Sequence, residues 1–584
     1  MREKIIKLLQ VSINKNQKSG FFPKFAVPDV KIERPDSSAF GDYSSNLALA
    51  VSKIVGKNPL ETADLIVKSI NHQESAALFD KVEVAPPGFI NFFVSQKLIF
   101  NGLQNIIKQK RVFGRSSWQR NKKIIVEFTD PNPFKEFHIG HLYTNTVGEA
   151  IAKLQEATGA KVKRANYQGD VGLHVAKAVW GVRQKMAIGN INLASLEQKE
   201  LKERIKFLGE SYAYGAKSFE ENEAAKQEII TLNKKIFDLD PEIKEIYERG
   251  RRWSLDCFEE VYRRIGARFD YYYFESKVGK TGLKLVKDNI KNGVFQESQG
   301  AVIFPGEKYG LHSRVFINSQ GLPTYEAKEL GLALVKYKDF RYNASIIITS
   351  NEIIDYFQVL IAALKKVSPE LGEKTIHIPH GTLRLSEGKM SSRSGNVVTA
   401  ESFLNRIKEL AGKLTESSDE SRGSNLTEII TLGAVKYALL KASIGQDVIF
   451  DQDKSVSIKG DSGPYLQYAC VRCRSVLKKS KSGVRGVRAP KNYNNLSKEE
   501  TEISRLIFVF PDVVREAAEK FAPNLICGFA FDLAQRYNAF YDRYPILKAE
   551  NEEVKRLRLL LTAAVAQTLE NALFLLGIEV PEKM

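Results

Sequence analysis

Apolar residues change their spacing along this chain, and the change predicts the architecture. Up to about residue 400, short apolar runs written IIVEF, FDYYYF, AVIFP, RVFIN, SIIITS and TIHIP alternate with stretches of helical periodicity. Alternating strands and helices are typical of a parallel, doubly wound sheet. We therefore predict an α/β core whose sheet is built from these runs.

The pattern after residue 400 is almost wholly helical. An apolar stripe at helical spacing runs through its last segment, and we interpret it as the core of a helical bundle. The stripe consists of Leu557, Leu560, Leu561, Val565, Leu569, Leu573 and Leu576.

The first part of the chain mixes helices with a strand. MREKIIKLLQVSINKNQ predicts an amphipathic helix without the apolar centre of a signal peptide, and the region around Pro59 is helical on both sides of that proline. VEVAPPGFINFFVS alternates like one half-buried strand. The charged, Glu- and Lys-rich region of about 190–265 predicts a helical insertion. We expect domains at 1–110, 111–400 and 401–584.

Composition narrows the class of protein. The chain has 584 residues, of which 43% are hydrophobic and 27% charged, and no apolar stretch approaches membrane-spanning length. We therefore expect a cytoplasmic protein without membrane association. Only four cysteines occur, which argues against a disulfide framework. Cys470 and Cys473 are better explained as two thiols on a helix than as zinc ligands.

The formal net charge of +18 is concentrated in two segments. Residues 101–126 contain seven basic side chains and 472–491 contain eight, and neither segment has an acidic one. Such segments bind polyanions by releasing counterions, but they also occur as solvated surfaces. Their positions on either side of the α/β core favour RNA or DNA as a partner.

The first core strand leads into a candidate anion site. The tetrapeptide DPNP at 130–133 ends the strand, and a helical pattern begins near His138 in the sequence HIGH. Unpaired N–H groups and the helix dipole attract anions at such a helix start. His138 and His141 would add donors, and Gly140 leaves room for close approach. The alternative is a pair of histidines that caps the helix or packs.

A second polar segment lies about 250 residues later, in HGTLRLSEGKMSSRSGNVVTAESF. Lys389 and the following serines, bracketed by glycines, are typical of a mobile clamp for phosphates, although a surface turn has the same composition. Thr399 is placed to cap the next helix, with Glu401 in its first turn.

HIGH and KMSSR resemble the two signature motifs of class I aminoacyl-tRNA synthetases. Five segments resemble, in this order, motifs of the arginyl-tRNA synthetase family. They are EFTDPNPFKEFHIGHL, NYQGDVGLHVAK, LPTYEAKELGLAL, EGKMSSRSGNVV and the GAVKYALLKASIG to GPYLQYA region. FGDYSSNLAL resembles its N-terminal domain, which contacts the tRNA elbow, and the C-terminal helices resemble its anticodon-binding domain. The resemblance implies a Rossmann-like parallel-sheet catalytic core with a helical insertion, a small α+β N-terminal domain and an all-α C-terminal domain.

The resemblance also implies the reaction. L-Arginine is activated with ATP to arginyl-adenylate and transferred to the 2′-hydroxyl of the terminal ribose of tRNA(Arg), releasing AMP and pyrophosphate. Mg²⁺ would bridge the ATP phosphates without a protein cage, and we expect no protein-bound structural metal. Members of the family usually require tRNA before they activate the amino acid. We expect a monomer.

Site residues follow from the matched motifs. The expected catalytic residues are His138, His141, Lys389 and Lys135. The expected ATP-binding residues are His138, Gly140, His141, Lys389, Met390 and Ser391. The expected arginine-binding residues are Asp130, Pro131, Asn132, His141, Tyr325 and Glu329. With the basic segment, the expected tRNA-binding residues are Arg472, Arg474, Lys478, Lys479, Tyr465 and Gln467.

Some positions depart from the family pattern. Glu329 stands where the family has aspartate and reaches one methylene further, while the neighbouring Glu326 is predicted to be a surface charge. Ile353 occupies the position of a glutamine that touches the amino group of the substrate, and Glu352 or Gln358 are candidate replacements. A sister class I enzyme for lysine and a non-catalytic tRNA-binding protein remain the alternatives.

Overall fold

The computed structural model describes residues 1–35, 37–70, 72–386, 398–413, 420–480 and 496–584. The chain divides into two compact units. The first comprises Met1–Arg115, Tyr468–Glu516 and Phe529–Ala572, and the second comprises Ser116–Gln467, Ala517–Gly528 and Leu573–Met584. None of the described helices is both long enough and apolar enough to cross a membrane.

In the described part of the chain up to residue 115, five α-helices and one antiparallel sheet are formed. The elements are α1 (Arg2–Lys18), β1 (Ile32–Glu33), β2 (Tyr43–Ser45), α2 (Leu47–Val55), α3 (Pro59–Lys68), α4 (His72–Leu78), β3 (Phe79–Ala85), β4 (Phe89–Val94) and α5 (Gln96–Gln109). The sheet order is β1-β2-β4-β3. Helices on both sides of Pro59 are confirmed, because Pro59 is the first residue of α3 and Asn58 accepts a hydrogen bond from the Glu61 N–H at 2.8 Å.

VEVAPPGFINFFVS is a hairpin, so the prediction of one strand was wrong. β3 and β4 pair antiparallel from Ala85 opposite Phe89 down to Phe79 opposite Val94. The two prolines at 86 and 87 have no N–H to donate to a ladder, and they fill the turn together with Gly88.

The second unit contains the α/β core. Its first elements are β5 (Lys123–Glu127), α6 (Ile139–Ala157), β6 (Lys161–Gln168), α7 (Leu173–Gly189), α8 (Leu193–Glu197), α9 (Leu201–Glu221), α10 (Glu223–Asp238), α11 (Pro241–Ile265), β7 (Tyr271–Phe274) and α12 (Glu275–Asp288). It continues with β8 (Gln296–Ser298), β9 (Ala301–Phe304), β10 (Arg314–Ile317), α13 (Tyr325–Asp339), β11 (Ala344–Ser350), α14 (Ile354–Val367), α15 (Pro369–Lys374), β12 (Thr375–His380), β13 (Leu383–Leu385), α16 (Ala400–Gly412), α17 (Glu420–Leu440), β14 (Val448–Phe450) and α18 (Gln452–Val456).

Five strands form the predicted parallel sheet, in the order β12-β11-β5-β6-β7, with β5 at the centre. The runs AVIFP and RVFIN lie outside it, and their assignment to the parallel sheet was wrong. They become β9 and β10 of a separate antiparallel sheet, β10-β9-β8. The nine residues between them, 305–313, are too few for the crossover that a parallel neighbour requires.

Four helices, α8 to α11, lie between α7 and β7, where the sequence predicts a helical insertion. Their apolar faces pack with α7 around Ile229, Ile243 and Trp253, each at most 1% exposed. The insertion therefore has a core of its own beside the sheet.

The remaining helices are α19 (Gly463–Lys479), α20 (Lys498–Phe508), α21 (Phe510–Glu519), α22 (Asn524–Arg543) and α23 (Glu552–Leu575). Every member of the predicted apolar stripe is 5% exposed or less, so its place in a core is confirmed. Cys470 and Cys473 are fully buried thiols on α19, as predicted.

Helices α12 and α13 approach each other unusually closely. A Cβ added at Gly282 would lie 1.8 Å from the Ala327 carbonyl oxygen, and one at Gly331 would lie 2.4 Å from the Val278 carbonyl oxygen. Both contacts are with backbone, which cannot rotate away. The separation of these two helices is therefore set by the absence of two side chains.

We predict that Gly282→Ala lowers the free energy of unfolding by about 1–3 kcal/mol, because overpacking forces the backbones of α12 and α13 apart. The matched control is Gly528→Ala on α22, where a Cβ would meet nothing within 4 Å. The control should gain up to about 1 kcal/mol from helix propensity. Denaturant unfolding of both variants tests this, and equal stability of the two would contradict it.

Candidate active site

The HIGH sequence forms the capped start of α6. His138 is the N-cap: its Nδ1 accepts a hydrogen bond from the Gly140 N–H at 3.1 Å, and its own N–H donates to Nδ1 of His141 at 3.2 Å. The two rings stack with centroids 3.7 Å apart. A Cβ at Gly140 would lie 2.9 Å from the His138 ring, so a larger residue there would displace that ring.

Both imidazoles are neutral at pH 7. Burial and the neighbouring Lys135 lower the pKa of His138 to about 4, and burial followed by His138 and Lys135 holds the pKa of His141 well below its usual range. Because each Nδ1 accepts a hydrogen bond from a backbone N–H, each neutral ring carries its own proton on Nε2. Capping thus leaves two Nε2–H donors at the helix start, so the capping and anion-site interpretations are compatible.

The DPNP turn is held by Asp130. Its Oδ1 accepts a hydrogen bond from the Tyr167 N–H at 2.7 Å, which ties the end of β5 to β6. Burial and then Glu127 raise the pKa of Asp130 well above its ordinary value. Pro131 and Asn132 follow in the same turn, and Asn132 Oδ1 lies against Gly169, where a Cβ would come within 2.2 Å. Lys135 lies 5.0 Å from the centre of the Tyr212 ring.

Glu329 lies in a pocket lined by carboxylates. It is half-buried on α13, and it forms no hydrogen bond or ion pair with the residues that the structure describes. Burial, Glu127, Asp130 and Glu275 raise its pKa well above the ordinary value, against the effect of Lys336. An unpaired carboxylate among other carboxylates is a site for a cation.

Tyr325, four residues earlier on α13, is half exposed, and its hydroxyl lies 3.2 Å from Nδ1 of His174. The other ring nitrogen of His174 lies 2.8 Å from the Gly169 carbonyl oxygen. Glu326 is buried and forms a 3.1 Å ion pair with Arg314, so the prediction of a surface charge was wrong. At the start of α13, the β10 strand covers the face that carries Glu326.

Sequence reasoning missed Glu127 and Glu275. Each is paired with a buried lysine: Glu127 with Lys336 at 2.6 Å and Glu275 with Lys328 at 2.5 Å. Burial raises the pKa of Glu275 to about 7, against the pull of Lys328. A glutamate inside the apolar run IIVEF, and another directly after YYYF, were the available signals.

Sequence reasoning also missed the role of Asp170, in the GDVG sequence, as the centre of a hydrogen-bond network. It is fully buried and accepts hydrogen bonds from the Ser276 N–H at 2.9 Å, the Ser276 hydroxyl at 2.7 Å and Arg251 Nε at 2.9 Å. Asp170 therefore joins the end of β6 to the insertion helix α11 and to the first turn of α12, which carries Glu275.

Lys389, Met390 and Ser391 lie outside the described residues. The residues that follow them pair with the HIGH segment: the Val398 carbonyl accepts from the Ile139 N–H at 3.2 Å, and the Ala400 N–H donates to the Phe137 carbonyl at 2.8 Å. Thr399 caps α16 through the Ser402 N–H, as predicted. The two polar segments, far apart in sequence, therefore meet at this point.

The predicted tRNA-binding residues differ in exposure and in the partners that they already have within the chain. Arg472 lies between the rings of Tyr468 and Tyr541, each 5.0 Å away, and donates to Asn538. Arg474 pairs with Glu570 at 2.9 Å.

Lys478 and Lys479 are exposed at the end of α19, whereas Tyr465 is half-buried. Gln467 is buried and donates to the Ile429 and Glu579 carbonyls.

Ile353 is 40% exposed at the end of a short 3-10 turn, and Glu352 is exposed beside it. Gln358 lines a small cavity with His312 and Asp355, and those two residues also border the cavity next to Tyr325. Of the candidate replacements for the family glutamine, Gln358 thus lines a cavity that shares His312 and Asp355 with the cavity next to Tyr325.

We predict that His174 makes the chain less stable as pH falls. Burial lowers its pKa in the folded state to about 3, below the unfolded value near 6.5. Its contribution is complete above pH 6.5 and is lost as pH falls toward 3. His174→Gln, which keeps a donor for the Gly169 carbonyl, should reduce the fall in Tm between pH 7 and 4.5. His312→Gln, at an exposed site, is the control; identical pH slopes for all three chains would contradict the prediction.

Three family models match the chain. The model for class I (R) tRNA synthetases, catalytic domain, covers residues 102–452; the arginyl tRNA synthetase N terminal domain covers 3–94; and the DALR anticodon binding domain covers 466–584.

Relatives match over nearly the whole chain. The arginine–tRNA ligase of Borreliella afzelii is 29% identical over 569 residues, 95% of each chain. That of Bacteroides fragilis is 30% identical over 576 residues, 93% of this chain and 94% of the relative. The solved structure of Thermus thermophilus arginyl-tRNA synthetase shares the fold, with a TM-score of 0.81 at 24% identity over 99% of this chain and 100% of that one. The chain belongs to the class I arginyl-tRNA synthetase family.

Proposed function

We propose that this cleft activates arginine with ATP and transfers it to the 2′-hydroxyl of the terminal ribose of tRNA(Arg). The observation that carries the proposal is a carboxylate pocket around Glu329 that Asp130 also faces, since the turn after Asp130 leads to a helix start with two neutral imidazole donors. The first suits a guanidinium, and the second suits phosphates. Membership of the family agrees with both.

Activation needs no nucleophile from the protein. The arginine carboxylate attacks the α-phosphate of ATP, and pyrophosphate leaves from the opposite side. The chain holds the two reactants in line and stabilises charge that develops on the phosphates. His138 and His141 donate from Nε2, Gly140 lets the nucleotide approach the backbone, and Lys135 adds a cation.

Lys389, with Met390 and Ser391, is assigned to the ATP phosphates by its motif alone. Mg²⁺ supplies charge neutralisation while bound to the phosphates and needs no cage of protein ligands. In the second step the ribose 2′-hydroxyl attacks the carbonyl carbon of the adenylate and a C–O bond to the ribose forms. The hydroxyl proton passes to the departing phosphate, and AMP leaves with the electron pair of the broken anhydride bond.

Arginine is oriented by groups at both ends. The guanidinium pairs with Glu329 beside Tyr325, while Asn132 and His141 hold the backbone end of the amino acid next to Asp130 and Pro131. An ammonium would also be attracted by Glu329, so charge alone does not separate arginine from lysine. A planar guanidinium can satisfy two acceptors at once, which a point charge on lysine does not match.

The family models support a division of labour among the domains. We assign residues 1–110 to the tRNA elbow, 111–400 with the insertion at about 190–265 to catalysis, and 401–584 to the anticodon arm. We propose that the chain acts as a monomer.

Pyrophosphate exchange with arginine or lysine, each with and without tRNA, tests the function. We expect exchange with arginine when tRNA is present. Exchange with lysine instead would favour the sister enzyme, and no exchange under any condition would favour the non-catalytic alternative.

Within that assay, Glu329→Gln should raise KM for arginine about 10- to 100-fold, since a hydrogen bond to a charged group contributes about 1.5–3 kcal/mol. Glu326→Gln is the matched control, because it removes a carboxylate one residue away on α13 that is paired with Arg314. An unchanged KM for arginine in Glu329→Gln would show that Glu329 does not bind the substrate.

The basic end of α19 is proposed to bind tRNA phosphates. Lys478→Ala with Lys479→Ala should weaken tRNA binding and reduce the slope of log affinity against log salt by about one to two. Lys217→Ala with Lys226→Ala is the control, because those lysines pair with Glu221 and Glu223. Equal salt dependence of tRNA binding in both double variants would show that this segment is a solvated surface and does not bind tRNA.

A further inference from the structure

A buried lysine lies beneath the carboxylate pocket. We infer that Lys336 is a positioning residue for arginine, whose ammonium favours the ionised form of Glu329, the form that can pair with the guanidinium. The inference rests on the proposed function, because it assigns a role within the same pocket, and it concerns a residue that does not itself touch the substrate.

The geometry places Lys336 under the site. Its Nζ lies 2.6 Å from Oε2 of Glu127, and the two side chains are 2% and 1% exposed. Lys336 follows Glu329 by seven residues on α13, so the two lie on one helix face about two turns apart. Glu127 is the last residue of β5, the central strand, and its neighbours in register are Ile347 and Ala165.

Several groups from different elements face Glu329. They are Glu127 at the end of β5, Asp130 in the following turn, Tyr167 on β6, Glu275 at the start of α12, Tyr356 on α14 and Lys336 on α13 itself. Glu275 already has Lys328 as its counterion. Within the described residues, Lys336 is therefore the ammonium that Glu127, Asp130 and Glu329 share.

Three carboxylates and one ammonium cannot be rearranged freely in a buried site. If the ammonium is removed, repulsion is relieved most easily by binding a proton. In Lys336→Gln the new amide can still donate to Glu127, and Asp130 still accepts the Tyr167 N–H. Glu329 has no partner in the described part of the chain, so it takes the proton at the least cost. A protonated Glu329 has no charge to offer a guanidinium.

A purely structural role for Lys336 predicts something different. As a link between α13 and β5, it would affect Tm and turnover without making arginine recognition depend on pH. Besides Glu127, Asp130 and Glu329, Lys336 faces Tyr342, whose hydroxyl donates to the Ala333 carbonyl.

The test compares Lys336→Gln with Lys336→Arg in the full chain. Gln keeps a hydrogen-bond donor for Glu127 but removes the charge, whereas Arg keeps the charge. KM for arginine and for ATP are measured by pyrophosphate exchange with tRNA, between pH 6.5 and 9. We expect Lys336→Gln to raise KM for arginine about tenfold at pH 7, one pKa unit at Glu329. The difference in KM for arginine between Lys336→Gln and the parent chain should become smaller toward pH 9. KM for ATP should stay unchanged, and Lys336→Arg should have the KM values of the parent chain.

The parent chain is assayed first, and the absence of arginine-dependent exchange there would overturn the proposed function rather than the role of Lys336. If the parent is active, a Lys336→Gln profile parallel to the parent profile would overturn the inference, and so would an equal rise in both KM values. Thermal unfolding is followed in parallel: a Lys336→Gln chain that does not fold would assign Lys336 to the fold and overturn the inference as well.

Discussion

The burial of like charges at the carboxyl edge of the parallel sheet constrains everything around the cleft. Carboxylates removed from water are stable in the ionised form only when hydrogen bonds or counterions compensate for lost hydration. The chain compensates three of them, Glu127, Asp130 and Glu275, through two lysines and one backbone N–H. Glu329 is left without such compensation among the described residues, and we propose that this asymmetry makes the set of buried charges a binding site.

The remaining structure keeps that asymmetry in place. Glu127 is fixed by the central strand, Glu275 by the hydrogen bonds from Ser276 to Asp170, and Glu329 by the contact of α13 with α12. At the same edge, the start of α6 presents neutral imidazoles. A cationic pair there would attract phosphates more strongly, but it would also repel the nearby guanidinium of the substrate. Neutral donors serve both reactants.

Local features were predictable from sequence, and long-range ones were not. The helix start at His138, the cap at Thr399 and the apolar stripe of α23 follow from spacing and residue type within a few turns. The partners of Glu127 and Glu275 come from 209 and 53 residues away, and no periodicity reports such pairs. Glu326 was misplaced for the same reason: helical phase says which way it points, but only the fold brings β10 over that face. The antiparallel runs were misjudged because a strand pattern carries no information on direction.

The close contact of α12 with α13 limits how the amino-acid specificity of this scaffold can be redesigned. Any substitution at Gly282 or Gly331 adds atoms where backbone already lies within about 2.4 Å of the new Cβ. The distance between α12 and α13 therefore cannot be changed by substituting these glycines. A library aimed at a different amino acid would have to vary the side chains that project from these helices into the cleft, and leave both glycines fixed.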